Sequence, residues 1–154
     1  MYEWLVFAHL LGLVIFLLGH GVSIGCAFRL RRERDRAVLV TLLDLSTRGN
    51  QAGMLGLILL GVGGLGAAWD SNTLTATWNV YSYLVLIAVI VGMGAVASSF
   101  YYPLRDAVAG AKGATPIDEA EMVRRLDNRR PEILGVIGGV GLVVLTWLMV
   151  VKPT

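Results

Sequence analysis

The chain has 154 residues, with 13 Lys and Arg against 11 Asp and Glu. Its mean hydropathy is +0.69, and with glycine counted among the apolar residues and tyrosine removed roughly 65% is apolar, against about 45–50% in soluble proteins. That excludes a disordered chain and an ordinary soluble domain, and a single Cys excludes a disulfide scaffold or a multi-cysteine metal site.

Four apolar stretches follow in chain order, about Glu3–Phe28, Ala52–Trp69, Val80–Tyr102 and Leu134–Val151. Each has at least 18 residues, and a helix needs roughly 20 to cross about 30 Å of hydrocarbon, so the two shortest just span it. In lipid every backbone amide must find its partner within the segment, so helices are expected; the alternating short strands of a barrel are missing from the sequence. The expected fold is a single all-α transmembrane domain over residues 1–154, a four-helix up-down bundle.

The first span, about 3–28, opens Met-Tyr-Glu and lacks the basic start of a cleaved signal; a basic run follows it. The loop over 29–51 carries Arg29, Arg31, Arg32, Arg34, Arg36 and Arg48. Within it, Val38–Thr47 is apolar but short, and reads either as an interfacial helix or as a continuation of the second span. The second span, about 52–69, is rich in glycine (Gly56, Gly61, Gly63, Gly64, Gly66), and the link Asp70–Asn79 has no basic residue. The third span, about 80–102, leads into a loop over 103–133 with Arg105, Lys112, Arg124, Arg125, Arg129 and Arg130. There Thr115, Pro116, Asp118 and Glu119 suggest a helix start over about 116–130, with Thr115 as N-cap and the two acids in the first turn. That helix is expected to lie solvated near anionic headgroups, with a partner-docking surface as the sharper alternative. The fourth span, about 134–151, ends before Lys152.

Of 13 basic side chains, 12 fall in the two loops that share one side. The positive-inside rule makes that side cytoplasmic, with both termini outside, in the cell inner (plasma) membrane. Trp4, Trp69, Trp78 and Trp147, with Tyr2, Tyr81 and Tyr83, then mark the outer boundary, and Tyr101 and Tyr102 the inner one. The glycines suggest how the helices meet. Gly21-Val-Ser-Ile-Gly25 and Gly135-Val-Ile-Gly-Gly139 are both GxxxG patterns, and small residues let backbones approach where lipid gives no hydrophobic drive. Lipids are the expected partners, with a homo-oligomer or a larger membrane complex as the protein-level possibilities; nothing points to nucleic acid.

Both histidines of the chain, His9 and His20, sit on the first span. Eleven residues apart, they fall on one stripe about 16 Å apart along the helix. A polar ring in hydrocarbon should face the bundle interior. His20 lies in Gly19-His20-Gly21, and the third span has Gly92-Met93-Gly94. His with Met is an established haem ligation, and flanking glycines leave space for a flat porphyrin. Arg29 and Arg48, on the basic side, are candidates for pairing with propionates. Haem b is thus one cofactor reading, with His9, His20 and Met93 as metal-binding candidates. Copper, with His20, Met54, Met93 and Cys26 as donors, is a second. The bland alternative is that both histidines bond to carbonyls or to hydroxyls such as Ser23 and Ser98, with Met93 as filler. No catalytic residue set is visible, and no acid lies deep in a span to serve a proton relay.

The pattern His9-Leu-Leu-Gly12, early in the first of four spans, resembles small bacterial membrane proteins related to copper resistance protein D, and the HemJ-type protoporphyrinogen oxidases that bind haem b. The resemblance implies a four-helix membrane fold and His9 as a haem ligand. The HemJ type also places a basic residue inside a later span, which this sequence lacks. The functional expectation is a haem-binding or redox-associated membrane protein. The alternative is a non-catalytic accessory subunit of a larger membrane complex, and a small permease ranks third.

Overall fold

The computed structural model describes residues 1–98, 104, 108, 118–127 and 129–153. Its helices are α1 (Tyr2–Leu30), α2 (Arg36–Asp70), α3 (Thr77–Ser98), α4 (Glu119–Leu126) and α5 (Arg130–Val151). Four of them, α1, α2, α3 and α5, are long and apolar enough to cross a membrane. No strand occurs among the described residues. The fold is an all-α four-helix membrane bundle. The sequence-predicted Tyr101 and Tyr102 boundary, Arg105, Lys112, and the cap at Thr115 and Pro116 lie outside the described residues.

The segment Val38–Thr47 is the start of α2, not a separate interfacial helix. Asp35 caps it, accepting a hydrogen bond from the Ala37 N–H at 2.8 Å. At 1.5 Å per residue α2 is about 52 Å long, far more than a bilayer core needs. Twenty residues from Trp69 reach Gly49, so the first three turns of α2 and the facing end of α1 project beyond the hydrocarbon at the basic end.

The membrane helices form two antiparallel pairs. In the first, α1 and α2 touch backbone to backbone. A Cβ at Gly12 would lie 2.7 Å from the Gly56 carbonyl oxygen, one at Gly19 2.5 Å from the Gly53 nitrogen, and one at Gly63 2.5 Å from the His9 nitrogen. Gly12, Gly19 and Cys26 are spaced by seven on α1, as are Gly49, Gly56 and Gly63 on α2, and all six are buried. A seven-residue repeat keeps one seam facing the partner along the whole contact. The seam is therefore a glycine heptad and not the expected GxxxG pairs. At Gly21, Gly25, Gly61, Gly135 and Gly139 an added Cβ would meet nothing within 4 Å among the described residues.

In the second pair, α3 and α5 meet through side chains. Gly141 receives the Val89 side chain, and a Cβ at Gly92 would stand 3.8 Å from Ile137. The two pairs join mainly where α1 approaches α5.

At the basic end a small core closes the bundle. Leu30, Leu39, Leu43, Leu104, Val108, Met122 and Leu126 are buried together, with Leu42 against them. α4 thus packs Met122 and Leu126 inside the molecule, which takes these two side chains out of any solvated or partner-docking surface. It also begins later than expected: Asp118 is the N-cap, accepting from the Glu121 N–H at 2.7 Å, and is not a first-turn residue. Arg31 ties the loops by pairing with Glu132 and, at 3.8 Å, Asp127, and Arg36 donates to the Val108 carbonyl from Nε at 3.2 Å and Nη2 at 3.1 Å.

Trp4 and Trp69 are exposed at the opposite end, as interfacial rings should be. Lys152 Nζ sits 5.3 Å from the centre of the Trp78 ring. Tyr83 departs from the interfacial expectation: its hydroxyl is buried and has no hydrogen-bond partner among the described residues.

Candidate functional site

The two histidines share a stripe on α1 but meet different neighbours. His9 turns to α2. Its Nδ1 lies 2.8 Å from the Leu60 carbonyl oxygen. That approach is open because residue 64 is glycine: a Cβ there would be 2.7 Å from Nδ1 and 3.0 Å from Cε1. His9 thus bonds to a carbonyl, as the bland alternative expects for both rings.

His20 turns to the junction of the two pairs. Its ring stacks on Phe16, with centroids 5.4 Å apart and planes 8° from parallel. Phe16 is one helix turn before His20, so both rings lie on the same face of α1. Nε2 of His20 is buried and has no hydrogen-bond partner among the described residues. An orphaned ring nitrogen buried in the protein costs free energy, because water shut out of the packed interior cannot replace the missing bond.

What Nε2 faces is the bare face of Gly138 on α5. A Cβ at Gly138 would stand 3.0 Å from His20 Nε2 and 3.7 Å from both Sδ and Cε of Met93. Three helices therefore bring an imidazole nitrogen, a thioether and a missing side chain to one place. Counting residues along the spans leaves His20 and Met93 at different depths; helix packing puts them at the same one.

Two contributors were not singled out from the sequence. Gly138 belongs to the Gly135–Gly139 segment, where the outer glycines drew attention as a packing motif while the inner one faces the imidazole. Phe16 had a signal, an aromatic ring at i−4 from a membrane histidine.

The remaining candidates lie elsewhere. Arg29 and Arg48 are exposed and pair locally, Arg29 with Glu33 in the α1–α2 turn and Arg48 with Asp44 one turn back on α2, each at 2.9 Å. Arg48 adjoins Gly49, which packs on Gly19, so it stands at the depth of His20. Met54 is exposed. Cys26 is buried on the α1–α2 seam, six residues beyond His20. Ser23 donates to the Ser46 carbonyl at 3.0 Å and so is engaged away from the histidines. Among the described residues no group of three or more His, Cys, Asp or Glu is placed to hold a metal. The His20 cluster, with one histidine and a thioether, is a donor set of another kind.

Four apolar crossing helices, a tryptophan end and a basic end define a multi-pass integral membrane protein in contact with lipid. Residues 3–153 match the family described as Predicted integral membrane protein (DUF2269), and the chain belongs to it. No curated protein and no solved structure matches the chain. The resemblance to copper resistance protein D relatives and HemJ-type oxidases accordingly stands on the first-span pattern alone.

Proposed function

We propose that this membrane protein binds haem b in a redox-associated role, with His20 and Met93 as the residues that would hold it beside the bare face of Gly138. The observation that carries the reading is the buried Nε2 of His20, unpartnered among the described residues and aimed at the same spot as the Met93 thioether. An imidazole nitrogen and a thioether are the donor pair of His–Met haem proteins. Glycine at 138 leaves open the volume a side chain would fill. Phe16 holds the imidazole plane, and Gly19 fixes its backbone against α2. Haem b, when bound, supplies one-electron chemistry at its iron. The chain supplies orientation, a water-excluding surround, and Arg48 at the right depth to exchange its Asp44 partner for a propionate. His9, about 16 Å away along α1, is the candidate ligand of a second level. The charge distribution supports an inner-membrane protein with its basic end in the cytoplasm and both termini outside.

The test is an absorption spectrum of the protein purified in detergent. A Soret band with sharp reduced α-bands, lost in His20→Ala, is expected. A colourless preparation, unchanged after haem addition, overturns the reading. Copper bound in its place, seen by metal analysis, would assign the same donors to a soft ion instead.

A second reading is favoured by Gly21, Gly25, Gly135 and Gly139, which leave open backbone faces on α1 and α5. It is an accessory subunit packed through those faces into a larger assembly. A partner that co-purifies in fixed stoichiometry with colourless protein would select it.

A further inference from the structure

His9 carries a second feature that the His20 cluster does not explain. The Leu60 carbonyl can only accept a hydrogen bond. It lies 2.8 Å from Nδ1, so in the neutral ring the proton must sit on Nδ1. The same carbonyl already receives the Gly64 N–H in the α2 helix. A second donor reaches it only because Gly64 has no side chain: the Cβ of any other residue would stand 2.7 Å from Nδ1. The α1 backbone at His9 is pinned in turn, since a Cβ at Gly63 would lie 2.5 Å from the His9 nitrogen. Glycine thus occupies two successive positions of α2, one letting the backbone of His9 approach and the other its ring.

We infer that Leu60 and Gly64 are positioning residues that fix His9 as the Nδ1–H tautomer and so keep Nε2 as its lone-pair nitrogen. A ring nitrogen with its opposite N–H bound to a carbonyl is oriented and made a better donor to a metal or a proton. The use of Nε2 as a ligand rests on the haem reading above; the tautomer does not. The arrangement also separates the two histidines chemically. His9 is held by a directed hydrogen bond, and His20 by a stacked ring.

The experiment is nitrogen NMR of the 15N-histidine-labelled apoprotein, stripped of any haem until no Soret band remains and placed in lipid nanodiscs, with the two rings assigned through a His20→Gln variant. His9 is expected to show a protonated Nδ1 and an unprotonated Nε2. A protonated Nε2, or one averaged signal for both nitrogens, overturns the inference. Gly64→Ala should abolish the Nδ1–H signature of His9; an unchanged signature removes Gly64 from the role. Should that variant not fold, two others replace it. Asn at position 9 places an amide N–H near the site of Nδ1, whereas Gln places one near Nε2. His9→Asn should therefore melt close to the wild type and His9→Gln roughly 2–4 °C lower, as for one lost hydrogen bond. The reverse order overturns the inference. Because the cofactor is absent throughout, failure here is distinct from failure of the haem spectrum.

Discussion

The α1–α2 pair and the α3–α5 pair solve one problem in opposite ways. Apolar helices in lipid gain nothing from hiding from water, so close packing and hydrogen bonds must hold them. The first pair achieves this by removing side chains, so that Gly12, Gly19, Gly56 and Gly63 let main chain touch main chain. The second keeps its side chains and fits Val89 and Ile137 against Gly141 and Gly92. Backbone contacts cannot relax, whereas side chains can change rotamer. The first pair is therefore the rigid half and the second the adaptable half. The candidate site lies between them, with His20 on the rigid half and Met93 and Gly138 on the other.

Substitutions can break this contrast, and the largest effect is expected on the glycine seam. Gly56→Leu has backbone of α1 on the far side of its Cβ, at 2.8 Å from the Gly12 carbonyl oxygen. It should prevent pairing of α1 with α2, seen as loss of monodisperse protein in detergent chromatography. The opposite control is Gly135→Ala, which meets nothing within 4 Å among the described residues and should leave the elution profile unchanged. Equal damage from both would refute a special role for the seam.

Next in size is the basic-end core. Leu126 is 1% exposed, and Leu126→Ala should cost about 2–5 kcal/mol of stability. Faster proteolysis of the basic loops, with the membrane helices intact, would locate the damage there.

Gly138→Ala is expected to cost less stability but more function. The Met93 end of the site is flexible, so the fold should persist, while the new methyl group occupies the space between Nε2 and the thioether. Haem content should fall at least tenfold with an unaltered thermal midpoint. Retained absorbance would place any cofactor elsewhere.

The smallest expected effect is electrostatic. Glu33, in the α1–α2 turn, accepts from the Arg34 and Asp35 backbone N–H groups at 2.9 and 3.2 Å and pairs with Arg29. These backbone bonds first, and Arg29 after them, hold its carboxyl below the ordinary glutamate value. A carboxylate with a lowered folded-state value adds stability above its unfolded value, and that contribution fades as pH falls through the folded one. Glu33→Gln should therefore flatten the acid limb of a melting curve slightly and change nothing at neutral pH beyond a constant offset. A wild-type acid limb in the variant would show that the turn contributes no pH dependence.

Much of this was legible in the residues. The four spans follow from run length, and the two ends from the placement of arginine and tryptophan. The Gly-rich second span announced close packing, but its partner surface did not show: the heptad of Gly12, Gly19 and Cys26 is spread over two turns at each step, whereas GxxxG is conspicuous and faces away. The length of α2 was ambiguous because residues 38–47 are apolar enough for a membrane surface and also for a small core. Only Leu104, Val108 and α4 folding back over Leu39 and Leu43 decide for the core.

The sequence by itself determined that this chain crosses a bilayer four times with its arginines gathered at one end, because solvation by lipid and charge at its boundary act on each segment separately. It also put His9 and His20 on one face of one helix. Tertiary structure alone decided that His9 would bond to the Leu60 carbonyl while His20 Nε2 met Gly138 and Met93 with no hydrogen-bond partner among the described residues. Periodicity fixes the direction of a side chain around its own helix, but what lies there depends on how neighbouring helices rotate, and in lipid that rotation is set by packing at every contact together.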